Sequence, residues 1–290
     1  MENYLTNRID ECIKDIVGDL KKTKYPTNIS YILTKEDIEH IKKSNDIDLS
    51  SFKIQSQLNS KVWKTNELLN SKVRLRLLDI ADDFVDFLDI DWVKPNDIIL
   101  TGSMANYNWS KYSDFDVHIL IDFKDVDEKT EFVQNYFNSK KKLWNEEHEN
   151  LKIYNFPVEM YVQDVNEEHD STGIYSLEKN KWITKPQKGN LNNKTFNKSF
   201  VKEKAFDFIS KIEKLEEKSK KETDGYKIEQ LGKKVKNLFD KIKGLRKDGL
   251  KKDGEMSSFN IIFKVLRRMG YIEKLVNLKI KLYDKQNSLK

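Results

Sequence analysis

Two aspartates separated by one residue are the first candidates for chemistry in this sequence. Asp114 and Asp116 flank Phe115 at the start of a segment in which apolar and polar residues alternate, as in a β-strand. Side chains two residues apart in a strand point to the same face, so the two carboxylates are expected side by side. They would repel each other unless a hard divalent cation, Mg²⁺ or Mn²⁺, lies between them. The spacing therefore predicts a metal site.

A third carboxylate lies on a later predicted strand, residues 156–162. Val158 and Met160 mark the apolar face of this strand, so Glu159 points to the opposite face. If the strand neighbours that of Asp116, the three acids form a cluster. Two-metal phosphoryl transfer needs such a cluster, in which one ion activates a hydroxyl and the other holds a triphosphate. Glu159 would bind the first ion and help to deprotonate the attacking hydroxyl.

A Gly-Ser turn precedes the acids. Gly102 and Ser103 follow the short apolar run 98–100, which reads as a buried strand. Glycine lets the backbone approach a phosphate closely, and the serine hydroxyl can donate a hydrogen bond to it. If residues 103–106 begin a short helix, its N–H groups add to an anion site. A phosphate site and a metal site are thus expected next to each other.

The stretch LTGSMANYNWSKYSDFDVHILI, residues 100–121, resembles the signature of the DNA polymerase β-like nucleotidyltransferase superfamily. That signature places Gly-Ser after a strand, Asp-x-Asp about a dozen residues later and a third acid on a later strand. The segment GEMSSFNIIFKVLRRMGYIEKL, residues 254–275, is part of a wider similarity to uncharacterised predicted nucleotidyltransferases of phage and bacterial genomes.

The resemblance implies a polymerase β-like palm and transfer of a nucleoside monophosphate from a nucleoside triphosphate to an acceptor hydroxyl, with release of pyrophosphate. Gly102 and Ser103 would bind the triphosphate, and Asp114 and Asp116 would bind both metal ions. Glu159 would be the third carboxylate, where the family more often has Asp. Acceptors within the superfamily include RNA 3′ ends, other nucleotides, small molecules and protein hydroxyls.

The elements that must position these residues divide the chain into three predicted domains: a helical N-terminal segment (1–62), a nucleotidyltransferase palm (63–195) and a helical C-terminal domain (196–290). Residues 73–87 carry an apolar stripe at helical spacing, and a second helix is expected over 128–148. Strands at 98–100, 115–121 and 156–162 alternate with these helices, which predicts an α+β fold. Gly225 and the stretch 244–254 are expected to interrupt the C-terminal helices.

Composition excludes several other kinds of protein. Charged residues make up 35% of the chain and aromatic residues 11%, as in a folded protein with a charged surface. No apolar run is long enough to span a bilayer, and the first twenty residues do not resemble a signal peptide, so we expect a cytoplasmic protein without a membrane partner. A single cysteine, Cys12, excludes an internal disulfide and a cysteine-rich zinc site.

A basic cluster in the last helical region offers a possible phosphate contact. Lys264, Arg267 and Arg268 lie on one predicted helix and could reach the triphosphate or a nucleic-acid backbone; a solvated helix face explains them equally well. The net charge of +5 permits a polyanionic partner without requiring one. The basic region favours RNA or a nucleotide as the acceptor by a small margin.

Several other side chains carry two interpretations. His118 shares the face of Asp116 and could contact substrate or a metal-bound water, although a hydrogen-bonded structural histidine is the more common case. Tyr175 and Trp182 could stack on a nucleobase or be part of the core. For the whole chain, the alternative to an enzyme is a non-catalytic nucleotide- or RNA-binding protein on the same fold. Modification of a small molecule or a protein is a further alternative.

Overall fold

The computed structural model describes residues 46–65, 67–167, 171–188 and 196–288. The helices predicted within residues 1–45 lie outside the described residues, as do Cys12, His40 and His169. The chain forms two compact units, and the predicted limits at 62/63 and 195/196 stay predictions. The sheet unit comprises Leu49–Asn197 with Leu245–Ile261, and the helical unit includes Lys198–Gly244 and residues 262–288.

In its described residues, the sheet unit contains a six-stranded mixed sheet with helices before and between the strands. The strands are β1 (Asp97–Thr101), β2 (Phe115–Ile121), β3 (Lys152–Ile153), β4 (Phe156–Asp164), β5 (Ile174–Ser176) and β6 (Lys181–Thr184). The helices are α1 (Ser71–Leu88), α2 (Phe123–Val126) and α3 (Thr130–Glu147). The strand order is β3-β4-β2-β1-β5-β6, with β2 and β4 parallel and every other pair antiparallel. The predicted α+β class is confirmed.

The long elements match their predictions, and the short ones were missed. Strand β2 has the predicted limits, whereas β1, β4, α1 and α3 differ from theirs by a few residues at their ends. Strands β3, β5 and β6 span two to four residues, too few for alternation to show in the sequence. Strand β5 is nevertheless fully buried, and its pairing with β1 is reinforced by the buried carboxylate of Asp97, which accepts hydrogen bonds from Ser176 and Lys179, both at 2.8 Å.

Alternation along β2 and β4 separates an apolar face from a polar face. Val117 and Met160 are fully buried and belong to the same core cluster as Phe84 of α1 and Phe137 of α3. The alternate residues of β2, together with Glu159 and Tyr161 of β4, are half-buried and form the opposite face, on which Gln163 is buried. Burial of the apolar side chains fixes which way each strand faces, because a shift by one residue would bury the polar set. The polar face is where the candidate site lies.

A side chain closes the outer edge of β4. Strand β3 pairs with β4 only at Phe156 and Pro157, and no other described strand pairs with β4 on that side. There Asn145 of α3 accepts a hydrogen bond from the Met160 N–H at 3.1 Å and donates one to the Met160 carbonyl at 3.4 Å. The amide thus takes the place of a neighbouring strand and ties α3 to the backbone next to Glu159.

Residues 196–288 form the helices α4 (Lys198–Lys221), α5 (Gly225–Asp253), α6 (Ser258–Arg268) and α7 (Tyr271–Asn287). Within the helical unit, α4 and α7 are joined by Tyr271 Oη donating to Glu213 at 2.6 Å and by an ion pair between Lys274 and Glu216 at 2.9 Å. In the described ranges, no helix combines the length and apolar character needed to cross a membrane.

The break predicted in the stretch 244–254 occurs at its end, where Gly254 has a φ of 71°, and Gly244 does not interrupt the helix. Helix α5 begins at Gly225, as expected, but it continues through Gly244 and Gly249 and ends at Asp253. A glycine inside a helix costs only about 1 kcal/mol relative to alanine, which the Lys, Leu and Arg residues around Gly244 readily offset. Gly270 also separates two helices, α6 and α7, and adopts a left-handed conformation with φ of 78°.

Core packing of α1 against the sheet predicts a large effect of truncating Phe84. This side chain is fully buried, whereas Phe132 on α3 is 66% exposed. We expect Phe84→Ala to lower the free energy of unfolding by about 3–5 kcal/mol, because it removes buried contacts and leaves a cavity. Phe132→Ala, the matched control, should change it by less than about 0.5 kcal/mol. Urea denaturation followed by circular dichroism measures both, and equal effects would contradict the described core.

Candidate metal and phosphate site

Three carboxylates meet at the end of the central strand pair. Asp116 and Glu159 are direct partners in the parallel pairing of β2 with β4, and Asp114 lies one residue before β2. One carboxylate oxygen from each of the three lies within 4.8 Å of the others, and all three residues are half-buried. The strands of Asp116 and Glu159 are therefore neighbours, as the carboxylate cluster requires. The chemistry suits a hard divalent cation, which prefers carboxylate oxygens.

The glycine of the Gly-Ser turn is required by its closeness to this cluster. Gly102 follows β1, whose last residue Thr101 pairs with Asp116. A Cβ at Gly102 would lie 1.9 Å from Oδ2 of Asp116 and 2.9 Å from its Cγ. Its φ of 70° also falls in the region that residues with a side chain rarely adopt. Backbone and carboxylate thus come into contact that no other residue type permits.

Hydrogen bonds tie the Gly-Ser turn to the loop that carries the aspartates. Ser103 begins a three-residue 3₁₀ helix, Ser103–Ala105, and its hydroxyl donates to the hydroxyl of Ser113 at 2.7 Å. Ser113 is buried, immediately precedes Asp114, and also accepts from the backbone N–H of Ser110 at 3.0 Å. Trp63 also stabilises the turn, because its indole N–H donates to the Met104 carbonyl at 2.8 Å.

Tyr161 orients the third carboxylate. Its hydroxyl donates to Oε2 of Glu159, two residues earlier on the same face, at 2.5 Å. Burial, followed by the negative charges of Asp116 and Glu159, raises the pKa of Tyr161 far above its usual value, so the phenol remains a donor at neutral pH. The ring stacks on His118 with centroids 4.7 Å apart, and His118 Nδ1 lies 2.7 Å from Oε1 of Gln163.

The polar face contains residues that the sequence did not single out. Ser113 could have been found because it directly precedes Asp114. Tyr161 could have been found because it shares the strand face of Glu159. Nothing in the sequence distinguishes Lys141 of α3. Its ammonium nevertheless lies 3.6 Å from the centroid of the Tyr161 ring, and its charge interacts with those of Glu159 and Asp116.

Other candidate residues lie elsewhere. Lys264, Arg267 and Arg268 are on α6 in the helical unit, whereas the carboxylates are in the sheet unit, so the proposed phosphate contact of this basic cluster stays a prediction. Tyr175 is fully buried, with its ring centroid 5.0 Å from that of Trp63. Trp182 stacks on Trp63 at 4.5 Å, and its indole N–H donates to the Glu67 carbonyl. Both aromatic side chains contribute to the core of the sheet unit.

Comparison of the chain with protein-family models, curated proteins and solved structures found no match.

The close approach of Gly102 to Asp116 predicts the effect of adding one methyl group. We expect Gly102→Ala to displace the Asp116 carboxylate and to weaken Mn²⁺ binding by more than about tenfold, since even partners that only orient metal ligands contribute roughly 10–100-fold. Gly232→Ala is the matched control, because a Cβ there meets nothing within 4 Å. Calorimetric titration with Mn²⁺ measures both variants. Unchanged affinity in Gly102→Ala would show that Asp116 holds no metal.

Proposed function

We propose that this chain is a metal-dependent nucleotidyltransferase with a polymerase β-like palm. The observation that carries the proposal is the convergence of three carboxylates with a glycine turn pressed against one of them. The order of features along the sheet supports it: a Gly-Ser turn after β1, paired aspartates at the start of β2, and the third acid on the adjacent β4. This is the arrangement that the resemblance of residues 100–121 leads one to expect.

The residues present fit a pair of Mg²⁺ or Mn²⁺ ions. Asp114, Asp116 and Glu159 offer hard oxygen ligands close enough to share cations, and their mutual repulsion would be relieved by positive charge. Asp114 and Asp116 would hold both ions, and Glu159 the one nearer the acceptor. When bound, the ions supply Lewis acidity and neutralise charge on the transferring phosphoryl group.

The donor triphosphate would bind on the β1 side of the acids. Gly102 and Ser103 would bind it from the turn after β1, where the close contact of Gly102 with Asp116 keeps this turn beside the carboxylates. The hydrogen bond from Ser103 to Ser113 links the donor turn to the loop that precedes Asp114, so the two parts of the site hold a fixed separation. Catalysis by proximity and orientation requires groups that are held in place in this way before the substrates bind.

Glu159 would receive the acceptor hydroxyl on the β4 side. Because Tyr161 donates to Oε2, that oxygen is held in place, and Oε1 would be the oxygen that deprotonates the hydroxyl. The acceptor oxygen then forms a bond to the α-phosphorus, the bond between that phosphorus and the bridging oxygen to the β-phosphorus breaks, and pyrophosphate leaves. The hydroxyl proton passes to the carboxylate and from there to water.

Turnover tests the proposal directly. The full chain is incubated with the four labelled nucleoside triphosphates, Mg²⁺ or Mn²⁺ and pooled RNA, and pyrophosphate release is measured. We expect Asp116→Ala to lower release by more than about 100-fold, because loss of a metal ligand should exceed the roughly 10–100-fold effect of a second-shell partner. Asp125→Ala, at an exposed position on α2, is the control and should match the wild type.

Two results would overturn parts of this assignment. Absence of turnover with RNA, nucleotide, small-molecule and protein acceptors, together with RNA binding that needs no metal, would favour a non-catalytic binding protein. Undiminished turnover in Glu159→Ala would remove Glu159 from the site while leaving the aspartates in place.

A further inference from the structure

Three consecutive lysines on α3 have different environments. Lys140 donates to the Phe87 carbonyl at 2.8 Å, and Lys142 is exposed and pairs with Glu146 at 3.7 Å. Lys141 instead reaches the polar face of the sheet, where its ammonium lies over the ring of Tyr161 at 3.6 Å from the centroid. It is the member of this run whose charge interacts with those of Glu159 and Asp116.

Contacts of both the helix and the strand hold Lys141 in position. One helical turn later on α3, Asn145 is hydrogen-bonded to the Met160 backbone, so this part of the helix is held beside the strand that carries Glu159. Tyr161 in turn lies between Lys141 and the His118 ring and donates to Glu159. Burial lowers the pKa of the Lys141 ammonium, while Glu159 and Asp116 act in the opposite direction. A partly desolvated cation is costly unless it meets negative charge.

The order of strands places Lys141 on the acceptor side. Across the sheet, β4 with Glu159 lies on one side of β2 and β1 with the Gly-Ser turn lies on the other. Lys141 contacts the β4 side, beyond Glu159 as seen from Gly102. Metal ions bound by the acids would repel a further cation, so Lys141 fits a site that also receives an anion near the acceptor hydroxyl.

We propose that Lys141 binds a phosphate of the acceptor, so that the acceptor is a nucleotide, either free or at the end of a nucleic-acid strand. This inference rests on the proposed nucleotidyltransferase function and names its acceptor class. A lysine at this position suits a phosphate as a point charge and disfavours a polycationic small molecule. Transfer to the acceptor hydroxyl proceeds as described above, with Lys141 binding and no additional bond made or broken.

Kinetics with three acceptors test this inference. Wild type, Lys141→Met and Lys142→Met are compared with a nucleoside, its 5′-monophosphate and a short oligoribonucleotide. We expect Lys141→Met to raise KM about 10-fold or more for both phosphorylated acceptors, the effect of losing a charge-assisted contact. KM for the nucleoside, KM for the triphosphate and the Mn²⁺ affinity should stay within about twofold of wild type. Lys142→Met should behave as wild type throughout, and Lys141→Arg should recover part of the loss.

The outcomes separate the inference from the function on which it rests. A rise in KM for the triphosphate instead of the acceptor would place Lys141 on the donor side and overturn the inference, as would a nucleoside used as well as its monophosphate. If KM rises for the oligoribonucleotide alone, the contact is with a phosphate elsewhere in the strand. If KM rises for the monophosphate as well, the contact is with a phosphate of the reacting nucleotide.

Equilibrium binding remains decisive if the wild type shows no turnover. In that case the proposed function fails, and anisotropy of a labelled oligoribonucleotide with Ca²⁺ tests Lys141 by itself. Binding about 10-fold weaker in Lys141→Met than in Lys142→Met would support the phosphate contact, and equal binding would overturn it. Tyr161→Phe provides a second variant, because it keeps the ring beneath Lys141 but removes the hydrogen bond to Glu159. It should weaken Mn²⁺ binding and leave oligoribonucleotide affinity near wild type.

Discussion

The parallel pairing of β2 with β4 is the constraint on which the rest of the site depends, because it puts Asp116 and Glu159 directly opposite each other. Like charges at paired positions destabilise a sheet unless something compensates. The opposite face of the same strands supplies part of the compensation, since its fully buried apolar residues fix the register. The hydrogen bond from Tyr161 and the ammonium of Lys141 add favourable interactions on the polar face.

The site is also asymmetric, and that asymmetry follows from the strand order. On the β1 side, the absence of a side chain at Gly102 leaves backbone next to Asp116. On the β4 side, aromatic and cationic side chains crowd around Glu159. One flank is therefore made of main chain, while the other is built from large side chains held by α3. Such a difference suits two substrates that approach the same acids from opposite directions.

Sequence reasoning reached the carboxylates because period-two alternation places residues on faces without any knowledge of the fold. The sequence does not identify Lys141, because Lys140, Lys141 and Lys142 are consecutive identical residues. They differ only in the contacts that they make in the folded protein. Strands as short as β5 left no periodic signal. The break expected in the stretch 244–254 lies at its end, because the helix formers around Gly244 outweigh one glycine. Long periodic elements are visible locally, whereas contacts between elements distant in sequence are not.

The crossover between β2 and β4 has a consequence for how the three carboxylates come together during folding. Strands β1 and β2 are close in sequence and antiparallel, so the Gly102 turn and the aspartates can assemble early from local contacts. Glu159 is separated from them in sequence by α2, α3 and β3, the connection that parallel strands require, so its contact with the aspartates is the long-range one. A partly folded chain would hold two of the three acids and bind a cation weakly. If the acids hold a cation as proposed, its affinity would rise with this long-range contact, so that binding of the cation would report a completed crossover.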